Sequence, residues 1–164
     1  MRGGTTWTPE NGTQTTTGTW PNTTTSAYSY YDGTRSYYNW RAATAGTTSE
    51  DTESGNADGS VCPQQWVAPT KENYVSLITT AYSIADSSTG STKLRTTPLN
   101  FSYTGVYNYR DGVLDNKNNS GSYWSRTAES ATDAYRLSFN RDNVFSQFTG
   151  PRVYGFALRC LAKP

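Results

Sequence analysis

The chain has 164 residues, a formal net charge of +1 at pH 7, 34% hydrophobic, 16% charged and 14% aromatic residues, with 13 Tyr and 5 Trp. That length fits one domain with a full core, and the aromatics exclude a disordered chain despite the low hydropathy. Near-neutrality removes the electrostatic case for nucleic acid or an anionic membrane as partner.

No apolar run reaches the roughly 18 residues of a membrane-crossing helix. Met1-Arg2-Gly3-Gly4 lacks the pattern of a signal peptide, so any export signal or anchor is expected to have been removed or to lie on another chain. Residues 1 to about 60 are rich in Thr, Asn, Gly and Tyr, with Gly12, Gly18, Gly33 and Gly46 as punctuation. Trp7, Trp20, Tyr28, Tyr30, Tyr31, Tyr37, Tyr38 and Trp40 recur through this stretch, and a solvated tail has little use for such rings. Tyr28 and Tyr30 alternate, Asp32-Gly33 is a hairpin-turn pair, and Tyr37-Tyr38-Asn39-Trp40 reads as extended structure again. A twisted hairpin packed on the main body is expected, followed by a loop from Thr44 to Ser60, where the large rings vanish.

Ser60 to Pro69 is a short extended segment with two prolines, and Trp66 is placed in the core. Thr70 is the N-cap of one main helix over Lys71–Ser83, with Tyr74, Val75, Leu77, Ile78, Ala81 and Tyr82 on its buried stripe. Asp86-Ser87-Ser88-Thr89-Gly90 reads as a surface loop, and Lys93-Leu94-Arg95 as a helical turn that ends before Pro98. Beyond it, Leu99, Phe101 and Tyr103 alternate as a strand. Further strands are predicted at Tyr123–Thr127, Tyr135–Phe139, Asn143–Phe148 and Gly155–Leu161. Strands every ten to twelve residues, separated by turn residues, argue for an antiparallel sheet with long loops. Tyr123 and Trp124 are assigned to the core, and Arg159 to a structural contact with a carboxylate or carbonyl.

The chain holds two cysteines, Cys62 and Cys160, and no histidine. The pair reads as a disulfide formed in an oxidising compartment, with two buried free thiols as the alternative. Closing so long a loop would stabilise the fold by up to roughly 4–5 kcal/mol in the chain-entropy account. Without histidine, a Ser-His-Asp triad, a Cys-His pair and a His-ligated zinc are excluded. Glu129 and Asp133 could in principle serve as a glycosidase pair, but they stand in a Ser-, Thr- and Ala-rich loop with nothing to bury either carboxyl. The run from Asp115 to Gly121 has Lys117 at its third position, Ser120 in place of the turn glycine and no closing glutamate, so it reads as an Asn-rich turn, not a calcium loop. No catalytic residue, metal or cofactor is expected.

The segment Ser60-Val61-Cys62-Pro63, with Trp66, Pro69 and a short helix after it, resembles a bacterial paralogous surface domain of C-type-lectin fold. The resemblance continues through Tyr123-Trp124-Ser125 with Thr127, Ala134-Tyr135 with Leu137 and Phe139, and Gly155-Phe156-Ala157-Leu158-Arg159-Cys160. Tyr37-Tyr38-Asn39-Trp40 is similar as well, so the match runs from about Tyr28 to the C-terminus. It implies an α+β C-type lectin fold over 1–164, a single domain: a twisted antiparallel sheet with long loops, one main helix, and a disulfide joining Cys62 to Cys160. Residues 1–60 would supply N-terminal strands and a loop packed on that body.

A narrower resemblance is to the variable proteins of diversity-generating retroelements, in which an error-prone reverse transcriptase misreads template adenines and rewrites the C-terminal part of the target gene. The framework would be Tyr123, Trp124, Ser125, Leu137, Phe139, Gly155, Phe156 and Cys160. The altered, ligand-binding positions within 101–164 would be Asn108, Tyr109, Arg110, Asp111, Asp115, Asn119, Ser122, Arg126, Glu129, Ala131, Asp133, Arg136, Ser138, Arg141, Asp142, Phe145, Phe148, Thr149, Pro151 and Val153. What the resemblance implies is a binding protein on an extracellular, cell or virion surface, whose partner is a macromolecule, expected to be a protein. An invariant adhesive module of the paralogous type is the competing reading, and an enzyme on the same fold a third. The Glu-Pro-Asn or Gln-Pro-Asp triplet and Trp-Asn-Asp of calcium-dependent lectins are absent, with Trp124-Ser125-Arg126 in place of the latter. Calcium-dependent sugar binding is therefore not carried over, and neither is the copper-dependent cysteine oxidation found on this fold.

Overall fold

The computed structural model describes residues 13–15, 27–45 and 54–163, and shows a mixed α+β chain with mostly antiparallel pairing, few helices and one disulfide. Trp7, Trp20, Gly12, Gly18 and Gly46 lie outside the described residues. The first strand, β1 (Thr13–Thr15), pairs in parallel with β2 (Tyr28–Tyr31), which pairs antiparallel with β3 (Ser36–Tyr38). The turn between β2 and β3 is made by Asp32, whose Oδ1 accepts the Thr34 and Arg35 amides at 2.9 and 2.7 Å, and by Gly33 at φ 89°, the left-handed region that glycine enters freely.

The extended run stops earlier than the sequence reading has it. Asn39 Oδ1 accepts the Ala42 amide at 3.0 Å and so caps a short helix, α1 (Trp40–Ala43), while also taking the Tyr28 amide at 2.9 Å. An Asn side chain that satisfies a helix N-terminus outweighs the extended preference of the rings before it. Part of the expected Thr44–Ser60 loop is likewise paired, since β4 (Gly55–Asn56) joins the main sheet.

After β5 (Trp66–Val67), α2 (Lys71–Val75) begins with a reciprocal cap in which Thr70 and Asn73 each accept the other's amide. The expected helix to Ser83 is not regular, because Ser76–Ala81 widens into a π-helical stretch. Thr79 Oγ1 donates back to the Val75 carbonyl at 2.8 Å, and the Ile84 amide reaches the Ile78 carbonyl at 2.7 Å. Hydroxyl back-bonding of this kind loosens the i to i−4 ladder. Tyr74 and Ile78 are buried as expected, whereas Ala81 is turned out to solvent.

The expected surface loop at Asp86–Gly90 instead opens a helix, α3 (Ser88–Arg95), with Ser87 Oγ accepting the Gly90 amide at 3.2 Å. Ser, Thr and Gly are poor helix formers, so packing carries this element. Leu94 is fully buried, and Gly90 lies so close to residue 85 that an added Cβ would stand 1.8 Å from the Ala85 carbonyl oxygen. Leu99, Phe101 and Tyr103 all face the core but form no ladder. Their segment is held by single bonds, such as the Phe101 amide to the Leu94 carbonyl.

A hairpin of β6 (Val106–Asn108) and β7 (Val113–Asp115) precedes the central strands β8 (Gly121–Ala128), β9 (Asp133–Phe139) and β10 (Val144–Pro151). The main sheet runs β10-β9-β8-β4, all antiparallel. One face carries Tyr123, Leu137, Phe139 and Val144 against Tyr74, Ile78, Leu94, Phe101 and Tyr103. The opposite face packs Trp124, Ala128 and Ala134 against Trp40, Ala57 and Phe156. A third cluster of Tyr37, Tyr107, Tyr109 and Val153 lies under the two hairpins.

Gly155–Ala157 is the seam of the molecule. Phe156 exchanges both backbone bonds with Tyr38, Gly155 does so with Tyr107, and Ala157 bonds the Ser122 carbonyl and the Trp124 amide. Three separately formed sheets thus meet on one short segment, and both Phe156 and Ala157 are buried because it has layers on either side. The expected strand to Leu161 is broken here. Only β11 (Leu161–Ala162) resumes pairing, with β5.

The Cys62–Cys160 disulfide is formed, with a Cα–Cα distance of 5.8 Å across a separation of 98 residues, and it sits beside the β5–β11 ribbon. Trp66, expected in the core, is 46% exposed. Its strand pairs only with β11, and Trp66 belongs to none of the three core clusters. Arg159 is a structural contact as expected, donating from Nη1 to the Leu99 carbonyl and lying 4.4 Å over the Phe101 ring. Among the described residues, no helix is long and apolar enough to cross a membrane.

Candidate binding face

On a pleated strand, residues three apart point to opposite faces. Phe145 and Phe148 nevertheless share one face. In β10, Phe145 opposes Ser138 and Phe148 opposes Arg136, so three steps along β10 match two along β9. The extra residue is a β-bulge, which re-aims the side chains after it. The two rings lie 5.4 Å apart and are 38% and 45% exposed.

Arg136 lies between this pair and the interior. Its guanidinium stands 5.0 Å from the Phe148 ring and 4.4 Å from the Phe156 ring, Nη1 donates to Ser122 Oγ at 2.6 Å, and Nε makes a long contact of 3.4 Å with the Thr149 carbonyl. Gly150 leaves room for it: a Cβ there would come within 3.1 Å of Arg136 Nε. Burial pushes the Arg136 guanidinium down to about 10, which leaves it cationic at neutral pH. Ser138, half-buried, opposes Ser122 on one side and Phe145 on the other. Ser122, Arg136, Ser138, Phe145 and Phe148 thus form one continuous group.

The remaining expected contact positions fall elsewhere. Asn119, Arg141 and Asp142 line an open groove of about 360 Å³ with Asn116, Ser120 and Asn140, at the β9–β10 turn beyond Phe145. Glu129, Ala131 and Asp133 occupy the β8–β9 turn at the other end of the strands, near exposed Thr149 and Pro151. Asn108, Arg110, Asp111 and Asp115 decorate the β6–β7 hairpin. There the Asn108 amide donates to both carboxylates, at 3.2 and 3.4 Å, and Arg110 donates to the Tyr109 hydroxyl at 2.9 Å.

Four positions need correction. Tyr109 and Val153 are 4% and 6% exposed, packed with Tyr37 and Tyr107, and Ser122 is 1% exposed beneath Arg136. None of the three offers its side chain outward; each stands on a segment that is covered by a neighbouring layer. Arg126 departs from the Arg136 group altogether. Between Trp124 and Ala128, β8 carries two extra residues relative to β9. This excursion hands the Arg126 amide to the Pro69 carbonyl and its Nη1 to the Ala57 carbonyl at 2.7 Å. The arginine secures β4 and the start of α2 instead of facing a partner.

Gln147, exposed within the bulge, and the groove residues Asn116, Ser120 and Asn140 belong to this surface but are missing from the sequence-based set. Asn116 takes a left-handed backbone, φ 54°, which Asn tolerates better than most residues. Among the described residues no cluster of three or more His, Cys, Asp or Glu could hold a metal ion.

Comparison of the chain with protein-family models, with curated proteins and with solved structures found no match in any of the three. The chain is thus a mixed α+β protein, mostly of antiparallel sheets and joined by a disulfide, whose β8–β10 layer leaves one aromatic and cationic face in solvent.

Proposed function

We propose that this chain is a ligand-binding protein of C-type-lectin fold, displayed on an extracellular, cell or virion surface, with C-terminal exposed positions rewritten by a diversity-generating retroelement. The observation that carries the reading is the Phe145–Phe148 pair, two large rings exposed side by side on β10, next to a β8–β9 sheet whose other face packs Tyr123, Leu137 and Phe139 into the core. A frame that has no need to expose rings, yet does, marks an interaction surface. Tyr, Phe and Arg anchor interfaces of this kind, with Ser and Asn as adaptable neighbours. The β8–β10 sheet is fixed by its buried face and by the seam at Gly155–Ala157, so little order is lost when a partner docks. Glu129, Asp133 and the other carboxylates act here as surface groups, and the protein is not an enzyme in this reading. The disulfide accords with an oxidising compartment.

The test is the gene's surroundings and its population. The proposal expects a reverse-transcriptase gene and a near-duplicate, adenine-rich copy of the stretch encoding residues 101–164. It also expects sibling sequences that differ at Arg136, Ser138, Phe145, Phe148, Arg141 and Asp142 while keeping Leu137, Phe139 and Phe156. A locus with no such copy and a uniform coding sequence would leave an invariant adhesive module in its place.

A further inference from the structure

Four arginines of the second half are drawn inward, and three of them serve the backbone. Arg126 donates to the Ala57 carbonyl, Arg152 Nε to the Asp133 carbonyl at 3.3 Å, and Arg159 to the Leu99 carbonyl. Arg136 differs. Its one short hydrogen bond goes to a side-chain hydroxyl, two rings flank it where Arg152 and Arg159 each meet one, and no carboxylate among the described residues lies within ion-pair distance of it. It remains half-buried at the foot of the exposed Phe145–Phe148 pair. A desolvated cation without a counter-charge is unfavourable in the free protein. Rings on two sides offset part of that penalty through cation–π contact, but they cannot replace an anion.

Resting on the binding reading above, we infer that this face takes a protein segment presenting an Asp or Glu side chain next to an apolar residue. The carboxylate would seat on the outer side of the Arg136 guanidinium beside Ser138, with Ser122 holding the cation from beneath, and the apolar neighbour would lie on Phe145 and Phe148. Charge complementarity selects the anion: the cation is fixed in place by its Ser122 bond and two ring contacts, so a carboxylate meets a donor fork already oriented. Arg–carboxylate hydrogen bonds are stronger than neutral ones, and the lower dielectric beside the rings strengthens them further. The apolar requirement follows from the two exposed rings, which gain only when water leaves them.

The experiment selects peptides from a random library, displayed as N-terminal phage fusions, on the immobilised full chain. The winners are then synthesised with amidated C-termini and titrated against the unmodified chain and the Arg136→Gln, Arg136→Lys and Phe148→Ala variants. Enriched peptides should carry Asp or Glu beside an apolar residue. Their affinity should fall about tenfold or more with Arg136→Gln, and recover in part with Arg136→Lys, the scale expected for losing a charge-assisted bond. If Arg136→Gln does not fold, replacing the peptide's own Asp by Asn against the unmodified chain makes the same decision. Enriched peptides without an acidic residue, binding indifferent to the peptide's carboxylate, or no enrichment at all would overturn the inference. Peptides that depend on Phe148 but not on Arg136 would remove the carboxylate and leave the binding face standing. Peptides indifferent to both would remove the face as well.

Discussion

Trp40 and Trp124 clasp one another's neighbourhoods: the Trp40 indole donates to the Ser125 carbonyl at 2.9 Å, and the Trp124 indole donates to the Tyr38 carbonyl at 2.8 Å. Both rings are buried, and the residues they join are about 85 positions apart in the chain. The clasp fastens the N-terminal hairpin to the sheet that carries the candidate face. Trp40→Phe keeps most of the ring and removes one donor, leaving the Ser125 carbonyl without that bond. A loss of about 1–3 kcal/mol is expected, read as a lower urea midpoint. Trp124→Phe should be milder, because the Tyr38 carbonyl also receives the Phe156 amide at 3.0 Å.

A second prediction concerns acid. Burial acts to raise the Asp32 carboxyl, but the Lys117 ammonium at 2.8 Å and the Arg35 and Thr34 amides outweigh it, bringing it from 3.8 to about 2. A carboxyl depressed in the folded state contributes stability that is full above its unfolded value and is lost as pH falls through its folded one. The Asp32 contribution should therefore be constant above about pH 4 and decline between there and pH 2. Because the Lys117 side chain is 40% exposed, solvent screening limits it to about 1 kcal/mol or less. Denaturation of the native chain and of Asp32→Asn across that range should give curves that converge toward pH 2. Parallel curves would refute the pairing.

Replacing a helical glycine by alanine ordinarily stabilises a protein by up to about 1 kcal/mol. At Gly90 the opposite sign is expected. The new methyl would meet the Ala85 carbonyl oxygen at 1.8 Å, and backbone cannot yield as a flexible side chain would. A destabilisation of roughly 1–3 kcal/mol, of the kind seen for overpacking, should appear as a reduced melting temperature. A rise would show that α3 does not lie against residue 85.

The face and the frame should part company under mutation. Leu137 and Phe139 are 0% and 1% exposed, and their truncation to Ala should destabilise by about 2–5 kcal/mol. Phe145→Ser on the outer face should change stability by no more than about 0.5–1 kcal/mol. Equal losses at the two kinds of position would mean that the outer residues serve folding and not recognition.

The alternation of Leu137 with Phe139, the Asp32-Gly33 turn and the Thr70 cap could all be read in the sequence, because each rests on chemistry within a few residues. The helix at Ser88–Arg95 could not. Its Ser-Thr-Gly composition argues for a loop, and only burial of Leu94 and the close approach at Gly90 reverse that. The π-helical widening after Val75 also depends on a back-bond that spacing does not announce. In the candidate face, the grouping of Arg136 with Phe145 and Phe148 was only partly legible. Period two sends the two rings apart, and the bulge that unites them leaves no mark in composition. The same limit misplaced Arg126, which the excursion in β8 turns toward Ala57 and Pro69. Trp66 was misread because it was grouped with the framework rings Tyr123 and Trp124, whereas its strand pairs only with β11 and leaves it 46% exposed.

The extra residue in β10 sets the terms on which this surface can change. Swapping one side chain for another leaves both rings' positions pointing to solvent, so the character of the grip can be altered freely. Deleting Ser146 or Gln147 would set the two rings two residues apart, so strict alternation alone would keep both on this face and the strand would pair with β9 without a bulge. Such a region can be rewritten letter for letter, and it can lose one letter at the bulge without turning either ring inward.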